Sequence, residues 1–279
     1  NFRGYSVLAK EWMKAPEYLV WDGRFDYDKN NVIDIDDLSV FTSVWLKPEP
    51  PRIVLFNNDT TNAWTCRPNG ATNIEALFKK TIDETTGTGI DVHLVSPGFG
   101  WVPWRQSTIL PMWKQYYWFF TVYGFIPNDI FCNYVYNGGD FVQDTVDRCR
   151  AGGMSPYISY RMNDSHMLDQ INNPTSGTAG TLCQFYYDHP EYKLNPSALD
   201  WNERVQNWAI QEVRDYKFNF LQEICENYDI DGLELDFLRH CRHFKLDGSI
   251  SVDERKAIMT AFIVRVRELL DRTSTPGHH

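Results

Sequence analysis

Two carboxylates on one predicted strand are the residues of this chain best suited to chemistry. Glu234 and Asp236 stand two positions apart in the segment DGLELDF, residues 231–237. Because side chains alternate across a β-strand, both acids point to one face and the intervening leucines to the other. Ionised carboxylates are costly to bury without partners. The pair is therefore either neutralised in a salt-bridge network or kept for proton-transfer and nucleophile chemistry. The basic side chains available for a network are Arg161, Arg239 and His240.

Four short apolar segments, each followed by polar residues, must position this chemistry. They are residues 52–58, 90–96, 155–162 and 231–237. Helical patterns at 139–150 and 212–227 separate the later ones, and the βαβα order predicts a parallel sheet. No glycine-rich phosphate turn follows any segment. This favours a TIM-type (β/α) barrel, with its chemistry on the βα loops, over a doubly wound sheet. We expect only the first four β/α units to be present.

Polar and aromatic residues after these strands are the candidate carbohydrate contacts. Amides, carboxylates, guanidinium groups and imidazoles can bind sugar hydroxyls, and tryptophans in loops rich in glycine and proline can stack on sugar rings. The candidates are Asn57, Asn58, Arg161, Asn163, Asp164, His166, Arg239 and His240 for hydrogen bonds, with Trp101, Trp104 and Trp113 for stacking. Each type has a structural alternative, since asparagines also cap loops and tryptophans also fill gaps beneath them. His93, between Val92 and Leu94, is predicted to be buried in mid-strand.

An acidic loop near the start of the chain has the spacing of an EF-hand calcium site. Oxygen-bearing side chains occupy loop positions 1, 3, 5, 9 and 12, and position 7 offers a backbone carbonyl. The predicted Ca²⁺ ligands are Asp26, Asp28, Asn30, Val32, Asp34 and Asp37. Asn31 stands where glycine is usual, and asparagine tolerates the left-handed backbone required there. A helix is predicted to follow, and residues 1–12 repeat its apolar pattern.

The chain is predicted to have two parts. The proline-rich segment Lys47–Pro51 cannot continue a helix and favours an extended spacer. We therefore expect a small all-α calcium-binding module over residues 1–47, a linker at 48–51 and a barrel segment over 52–279. The sequence begins at Asn1 without an initiator methionine, a basic n-region or an apolar h-region, so we expect its start to be internal.

Composition argues against two classes of partner. The net charge of −10, with scattered lysines and arginines, argues against nucleic acid. No apolar run reaches the roughly 18 residues of a membrane-spanning helix. The six cysteines lack a CxxC pair, which leaves buried thiols and disulfides both open.

The motifs resemble two known families. DGLELDFLRH, SPGFGWVPW and SYRMNDSH resemble glycoside-hydrolase-like (β/α)-barrel proteins of environmental bacteria, which often carry dockerin modules. Residues 1–47 resemble a dockerin with a truncated first repeat. The resemblance implies a secreted or cell-surface protein, a cohesin-like or cell-surface partner and a polysaccharide or oligosaccharide substrate. Amylase-like barrels place a nucleophilic aspartate where Asp236 stands, whereas Leu238 occupies the position of the catalytic glutamate of chitinase-like barrels.

The sequence thus predicts a glycoside hydrolase with Asp236 as nucleophile or base and Glu234 as its partner or as a sugar ligand. Hydrolysis needs two carboxyl groups roughly 5 to 9.5 Å apart across the sugar, and residues at i and i+2 of one strand are close together for that separation. The alternative source of the second acid is a later strand beyond His279, in which case this polypeptide alone would be inactive. A non-catalytic carbohydrate-binding or surface-attachment protein is the first alternative function. The second is a metal-dependent hydrolase with His166, Asp164, Glu234 and Asp236 as ligands, although no HExxH pattern supports it.

Overall fold

The computed structural model describes residues 26–45, 52–60, 74–175, 181–198 and 200–274. The chain divides into two compact units between Arg52 and Ile53. In the smaller unit, the acidic loop leads into helix α1, Ile35–Trp45. The predicted earlier copy of this helix, within residues 1–12, and the linker at 48–51 lie outside the described residues.

The larger unit alternates strands and helices. Its strands are β1 (Leu55–Asn58), β2 (Val92–Val95), β3 (Gly98–Phe99), β4 (Val102–Pro103), β5 (Ser155–Arg161) and β6 (Gly232–Asp236). Its α-helices are α2 (Ile74–Thr81), α3 (Met112–Tyr123), α4 (Ile130–Tyr136), α5 (Phe141–Ala151), α6 (Gln184–Asp188), α7 (Gln211–Asn227) and α8 (Val252–Thr273). Short 3₁₀ helices lie at Asp83–Thr85, Leu168–Gln170 and Pro190–Tyr192.

The main sheet is parallel and ordered as the chain runs. Its strand order is β1-β2-β5-β6, and β3 and β4 form a separate antiparallel pair. Each new strand adds on the same side of the previous one, so right-handed crossovers carry the connecting helices to one face of the sheet. A doubly wound sheet would reverse direction at a switch point. The sequential order is therefore the barrel-type order that the sequence predicts.

The strand register assigns the side chains to two faces. Asn57 is level with Leu94, Leu94 with Tyr157 and Tyr157 with Gly232, so these four residues share a face. Glu234 and Asp236 lie two and four residues beyond Gly232 on the same face. The other face packs on the helices through Val95, Ile158, Leu233 and Leu235. The acids and the leucines of β6 therefore point in opposite directions, as their alternation predicts.

The sheet curls around the acidic face. Asn57 Nδ2 donates a hydrogen bond of 2.8 Å to Glu234 Oε2, although β1 and β6 are the outer strands. Three strand spacings in a flat sheet amount to roughly 14 Å, which is too far for these two side chains to meet. The face that carries Asn57 and Glu234 is consequently concave.

Capping residues set where the helices on the outer face begin. Asp140 accepts hydrogen bonds from Val142 N at 3.1 Å and Gln143 N at 3.0 Å, and α5 begins there. Ser251 and Glu254 form a reciprocal capping box at the start of α8. Gly124 ends α3 with a φ of 77°, a left-handed conformation that suits glycine.

His93 and three of the cysteines, Cys132, Cys149 and Cys183, are buried. His93 is 0% exposed, as predicted, and burial lowers its pKa to about 4, so its imidazole is neutral at pH 7. The cysteines of the described segments are free thiols, namely Cys132, Cys149, Cys183, Cys225 and Cys241. Within those segments no helix is long and apolar enough to cross a bilayer.

A buried ion pair fastens α7 to the loop after β4. Arg105 Nη2 lies 2.6 Å from Glu223 Oε2, with side chains 0% and 5% exposed. Glu223 Oε1 also accepts a hydrogen bond of 2.6 Å from Thr108 N. Each charge is buried, so each depends on the other.

We expect Arg105→Met to lower the free energy of unfolding by about 3–5 kcal/mol, because Glu223 would remain as a buried, uncompensated charge. Urea denaturation followed by circular dichroism measures the loss. Arg267→Met is the matched control, since the pair of Arg267 with Asp271 is exposed and should contribute under about 1 kcal/mol. Equal losses in the two variants would contradict the role given to the buried pair.

Candidate functional site

The candidate site lies where parallel strands end together. The carboxyl ends of β1, β5 and β6 bring Asp59, Arg161 and Asp236 to one edge of the sheet. Arg161 is directly level with Asp236 on the neighbouring strand. Such an edge, with its loops, is where parallel α/β sheets hold ligands.

Arg161 ties the loops of this edge together. Its guanidinium is 3% exposed, and Nη1 lies 3.0 Å from Asp164 Oδ2 while Nη2 lies 3.1 Å from Asp59 Oδ2. Nη2 also donates to the Asp59 carbonyl at 3.0 Å, and the group lies over the Phe99 ring at 5.1 Å. Arg161 is therefore fixed by contacts from two loops.

A buried lysine supports Arg161 from behind. Lys217 Nζ, on α7, donates a hydrogen bond of 3.1 Å to the Arg161 carbonyl. It lies 4.0 Å from the centre of the Trp101 ring and 4.4 Å from that of Tyr160. Burial lowers the pKa of Lys217 to about 7. The aromatic faces and the carbonyl together compensate the ammonium for lost water.

Asp164 and two histidines form a compact cluster beside Arg161. Asp164 Oδ1 accepts a hydrogen bond of 2.9 Å from His166 N, contacts His166 Nδ1 and lies 3.7 Å from His240 Nδ1. Burial alone would raise the pKa of Asp164, but its contacts with His166 and the charge of Arg161 hold that pKa below its usual range. Asp164 is therefore a buried carboxylate that stays ionised.

The donor atoms of Asp164, His166 and His240 all lie within 4.8 Å of one another, which is a geometry that can hold a metal ion. Hydrogen bonds already engage part of this group, although among the residues described His240 Nε2 is buried without a hydrogen-bond partner. Both Asp164 oxygens have partners, and Ser165 N donates to His240 Nδ1 at 3.2 Å. Across the described residues, Glu234 and Asp236 belong to no such cluster. The ligand set of the metal-dependent alternative is therefore not brought together there.

Glu234 and Asp236 are each held through one oxygen atom. Asp236 Oδ1 accepts hydrogen bonds from Leu238 N at 2.9 Å and Arg239 N at 3.2 Å, and Glu234 Oε2 accepts from Asn57. In the part of the chain that the structure describes, Asp236 Oδ2 and Glu234 Oε1 have no hydrogen-bond partner. Both residues are half-buried. Each acid is thus oriented by the protein and retains an oxygen for a ligand.

Tyr157 covers the concave face next to these acids. A Cβ atom built on Gly232 would lie 2.2 Å from Tyr157 Cε2, so the ring rests directly on the glycine backbone. Any side chain at position 232 would displace the ring. The absence of a side chain there leaves room for the tyrosine.

Two of the predicted stacking residues are buried, which corrects that interpretation. Trp101 and Trp104 are 1% and 0% exposed. Trp104 stacks on Phe131 with ring centres 3.9 Å apart, and Trp101 packs on Lys217 while its Nε1 donates to the Asp164 carbonyl at 3.0 Å. Their ring faces are therefore covered by protein. Trp113, in contrast, is 59% exposed.

Two predicted asparagine contacts are also structural. Asn163 is 0% exposed and bonds the Gln206 and Arg242 carbonyls through Nδ2 at 2.9 and 3.0 Å. Asn58 is 5% exposed and caps backbone groups of Thr60 and Thr81. Both amides are used to hold loops, so they are not available to a substrate. Asn57 and Arg239 remain at least partly exposed at the edge.

Sequence reasoning missed Trp201 and Lys217. Trp201 is 55% exposed and meets the rings of His240 and His166 edge-on, at 4.8 and 6.3 Å between centres. It lies outside the loops rich in glycine and proline in which stacking tryptophans are predicted. Lys217 had one signal, which is its position among aromatic residues on the apolar pattern of α7.

The acidic loop brings together three of its predicted ligands. Oxygen atoms of Asp26, Asp28 and Asp37 lie within 4.8 Å of one another. Asp26 and Asp37 are buried, and Asn31 has the predicted left-handed backbone with a φ of 67°. A hydrogen bond from Asn30 N lowers the pKa of Asp28, but partial desolvation and the charges of Asp37 and Asp26 raise it overall. Converging carboxylates of this kind suit a hard cation.

Local backbone N–H groups donate to all three carboxylates and also engage two other predicted ligands. Asn30 Oδ1 accepts a hydrogen bond from Val32 N at 2.7 Å, and Asp34 Oδ1 accepts one from Asp36 N at 2.9 Å. Neither residue belongs to the group of three converging carboxylates.

Comparison with known proteins gives limited likeness. No protein-family model matches the sequence, and no curated protein matches it. Among solved structures, the chain is similar to a noncanonic maltogenic α-amylase from Thermotoga neapolitana and to the galactosidase domain of an α-galactosidase–sucrose kinase. In both cases the TM-score is 0.41 at 15% identity over 80% of this chain. The chain spans 44% of the first protein and 25% of the second.

We expect Asp164→Asn to lower the free energy of unfolding at pH 7 by about 3 kcal/mol, because it removes the buried counter-charge of Arg161. The depressed pKa of Asp164 gives stability that is present above the unfolded-state pKa of about 3.9 and is lost as the pH falls below it. The difference between wild type and variant should therefore shrink below about pH 4, as measured by denaturant unfolding at several pH values. Asp253→Asn, at a side chain that is 92% exposed, serves as the control. A difference that does not change with pH would exclude the charge of Asp164 as its cause.

Proposed function

We propose that this chain is a carbohydrate-active hydrolase that cleaves O-glycosidic bonds in a polysaccharide or oligosaccharide. The observation that carries the proposal is the pair Glu234 and Asp236 on the concave face at the carboxyl edge of the sheet. Each is oriented through one oxygen and retains the other for a ligand. Paired carboxyl groups are the usual catalytic equipment of glycoside hydrolysis.

The position of each acid favours a different role. Asp236, at the end of β6 and level with Arg161, is proposed as the nucleophile or base. Glu234, one step further inside the curled sheet and held by Asn57, is proposed as its partner or as a ligand of the sugar. Residues two apart on a strand are separated by about 7 Å at Cα. The catalytic requirement is instead a separation of roughly 5 to 9.5 Å between the two carboxyl groups, and an acid on a later strand is the alternative partner of Asp236.

Other side chains at this edge are suited to hold a sugar. Arg239 is 41% exposed and His166 17% exposed at the side chain, so both can donate hydrogen bonds to hydroxyl groups. Trp201 offers the exposed ring next to them. A polyol needs this mixture of polar groups and an aromatic face.

We expect Asp236→Asn to reduce glycan hydrolysis by about 10³-fold or more, because an amide cannot act as nucleophile or base. The variant should fold, since asparagine keeps the Oδ1 acceptor for Leu238 N and Arg239 N. Release of reducing sugar is measured over a panel of plant, algal and microbial polysaccharides. The matched control is Asp253→Asn on α8, which should retain wild-type activity.

The same panel separates the proposal from its alternative. Saccharide binding without release by the wild type would favour a non-catalytic binding or attachment protein. Release that Asp236→Asn leaves unchanged would refute the role assigned to Asp236.

We also propose that the acidic loop binds structural Ca²⁺, with Asp26, Asp28 and Asp37 as its central ligands. Three carboxylates within 4.8 Å, two of them buried, would repel one another without a cation. On this basis the smaller unit is proposed to be a dockerin-like module that attaches a secreted or cell-surface enzyme to a cohesin-like or surface partner.

We expect Asp26→Ala to weaken Ca²⁺ binding by at least about tenfold, since the loop tunes affinity through the number of charged ligands. Saturating Ca²⁺ at 100 times Kd should stabilise the wild-type unit by about 2.7 kcal/mol. Isothermal titration and differential scanning calorimetry, each repeated with a chelator, measure both effects. Asp36→Ala removes an exposed acid outside the predicted ligand positions and should change neither. Identical calcium affinities for the two variants would contradict the proposal that Ca²⁺ binds in the acidic loop.

A further inference from the structure

A cavity lies on the segment between β5 and α7. It has a volume of about 540 Å³, within the range of roughly 300–1,000 Å³ that is typical of small-ligand sites. Its wall includes Leu168, Ile171, Tyr186, Tyr187, Lys193 and Arg204. The cavity thus combines apolar and aromatic surface with two cations.

Lys193 is the unusual member of this wall. It is 8% exposed, and within the described segments its ammonium makes neither a hydrogen bond nor an ion pair. Burial lowers the pKa of Lys193 and the neighbouring charge of Arg204 lowers it further, while the charge of Glu191 partly offsets both. A nearly buried ammonium without a partner is costly. A bound anion would supply the missing partner.

Arg204 provides a second, fixed cation. Its Nε donates a hydrogen bond of 3.1 Å to the Ala198 carbonyl, and its Nη1 lies 3.5 Å from Asp169 Oδ1. Asp169 also lines the cavity and is 57% exposed at the side chain. Its charge is set against Arg204, so Lys193 has no direct ion pair among the residues that the structure describes and only the more distant charge of Glu191 compensates it in part. The wall therefore holds two cations and one carboxylate, and the carboxylate is already paired with Arg204.

The cavity is connected to the candidate catalytic edge. Tyr186 lines it and donates a hydrogen bond of 2.7 Å to the Asp164 carbonyl, next to Arg161 and His166. Lys193 pairs through its backbone with Gln206, whose N–H donates to Asn163. Tyr187, 39% exposed, gives the cavity an aromatic surface of the kind that contacts sugar rings.

We propose that this cavity is a subsite for an anionic sugar unit, meaning a pyranose that carries a carboxylate or a sulfate group. The substrate of the chain is then an acidic saccharide, a step that rests on the hydrolase function proposed above. Lys193 and Arg204 bind the anionic group, and the exposed ring of Tyr187 contacts the sugar.

The test measures binding to the full chain carrying Asp236→Asn, so that turnover does not interfere. Glucuronate, glucose 6-sulfate, glucose and inorganic sulfate are titrated separately by calorimetry. We expect at least one anionic sugar to bind about tenfold or more tightly than glucose and inorganic sulfate. Lys193→Met should weaken that binding by at least tenfold, while Lys256→Met, at a side chain that is 72% exposed, should leave it unchanged. The melting temperature of Lys193→Met should be equal or higher, because an unpaired buried charge is removed.

Each result decides a separate point. Preference for glucuronate or for glucose 6-sulfate supports the subsite and identifies the anionic group. Inorganic sulfate binding as tightly as the sugars, or Lys193→Met binding like its parent, overturns it. Hydrolysis of neutral polysaccharides by the wild type without binding of either anionic sugar also overturns the subsite but leaves the hydrolase proposal intact. Anionic sugar binding by a chain that hydrolyses no glycan supports the subsite and removes the catalytic proposal.

Discussion

The structure depends most on one guanidinium that water hardly reaches. Arg161 is 3% exposed, and its charge is compatible with that position because Asp164 and Asp59 lie against it. These contacts join the loops that follow β1 and β5, and the Arg161 carbonyl in turn accepts the hydrogen bond from Lys217 on α7. Loss of a partner would leave an unpaired charge in the interior. The geometry of the whole carboxyl edge is therefore coupled to a few electrostatic contacts.

The two faces of the sheet have separate tasks. The face toward the helices is apolar and carries Val95, Ile158 and Leu233 into the core. The concave face carries Asn57, Glu234 and Asp236. Because the strand order never reverses, right-handed crossovers place the connecting helices on the other face. Stability and chemistry are thus assigned to alternate residues of the same strands. A substitution of a β6 leucine can change the core without replacing an acid, and a substitution of Glu234 or Asp236 can change the chemistry without replacing a core residue.

The sequence predicted the strands and their two faces well, but it predicted poorly which loop side chains are buried. Apolar runs bounded by polar residues located the parallel strands, and alternation placed Glu234 and Asp236 on one face. Trp101 and Trp104 were misplaced because the β3–β4 hairpin folds their loop inward, and local composition carries no information on that tertiary contact. Asn58 and Asn163 failed for another reason, since an amide after a strand serves the backbone as well as it serves a ligand. The residues next to Lys193 in the sequence did not predict its burial, because that burial results from tertiary packing.

Because Tyr157 rests on Gly232, the residue at position 232 determines where the tyrosine ring lies on the concave face. The ring lies where a side chain at 232 would otherwise begin, so a single added methyl group would displace it. Repacking of this kind changes volume without altering any charge or hydrogen bond that holds Glu234 or Asp236. Replacement of Gly232 would therefore change which ligands fit the concave face, while Glu234 and Asp236 stayed the same. Selectivity and reactivity can evolve separately on this strand.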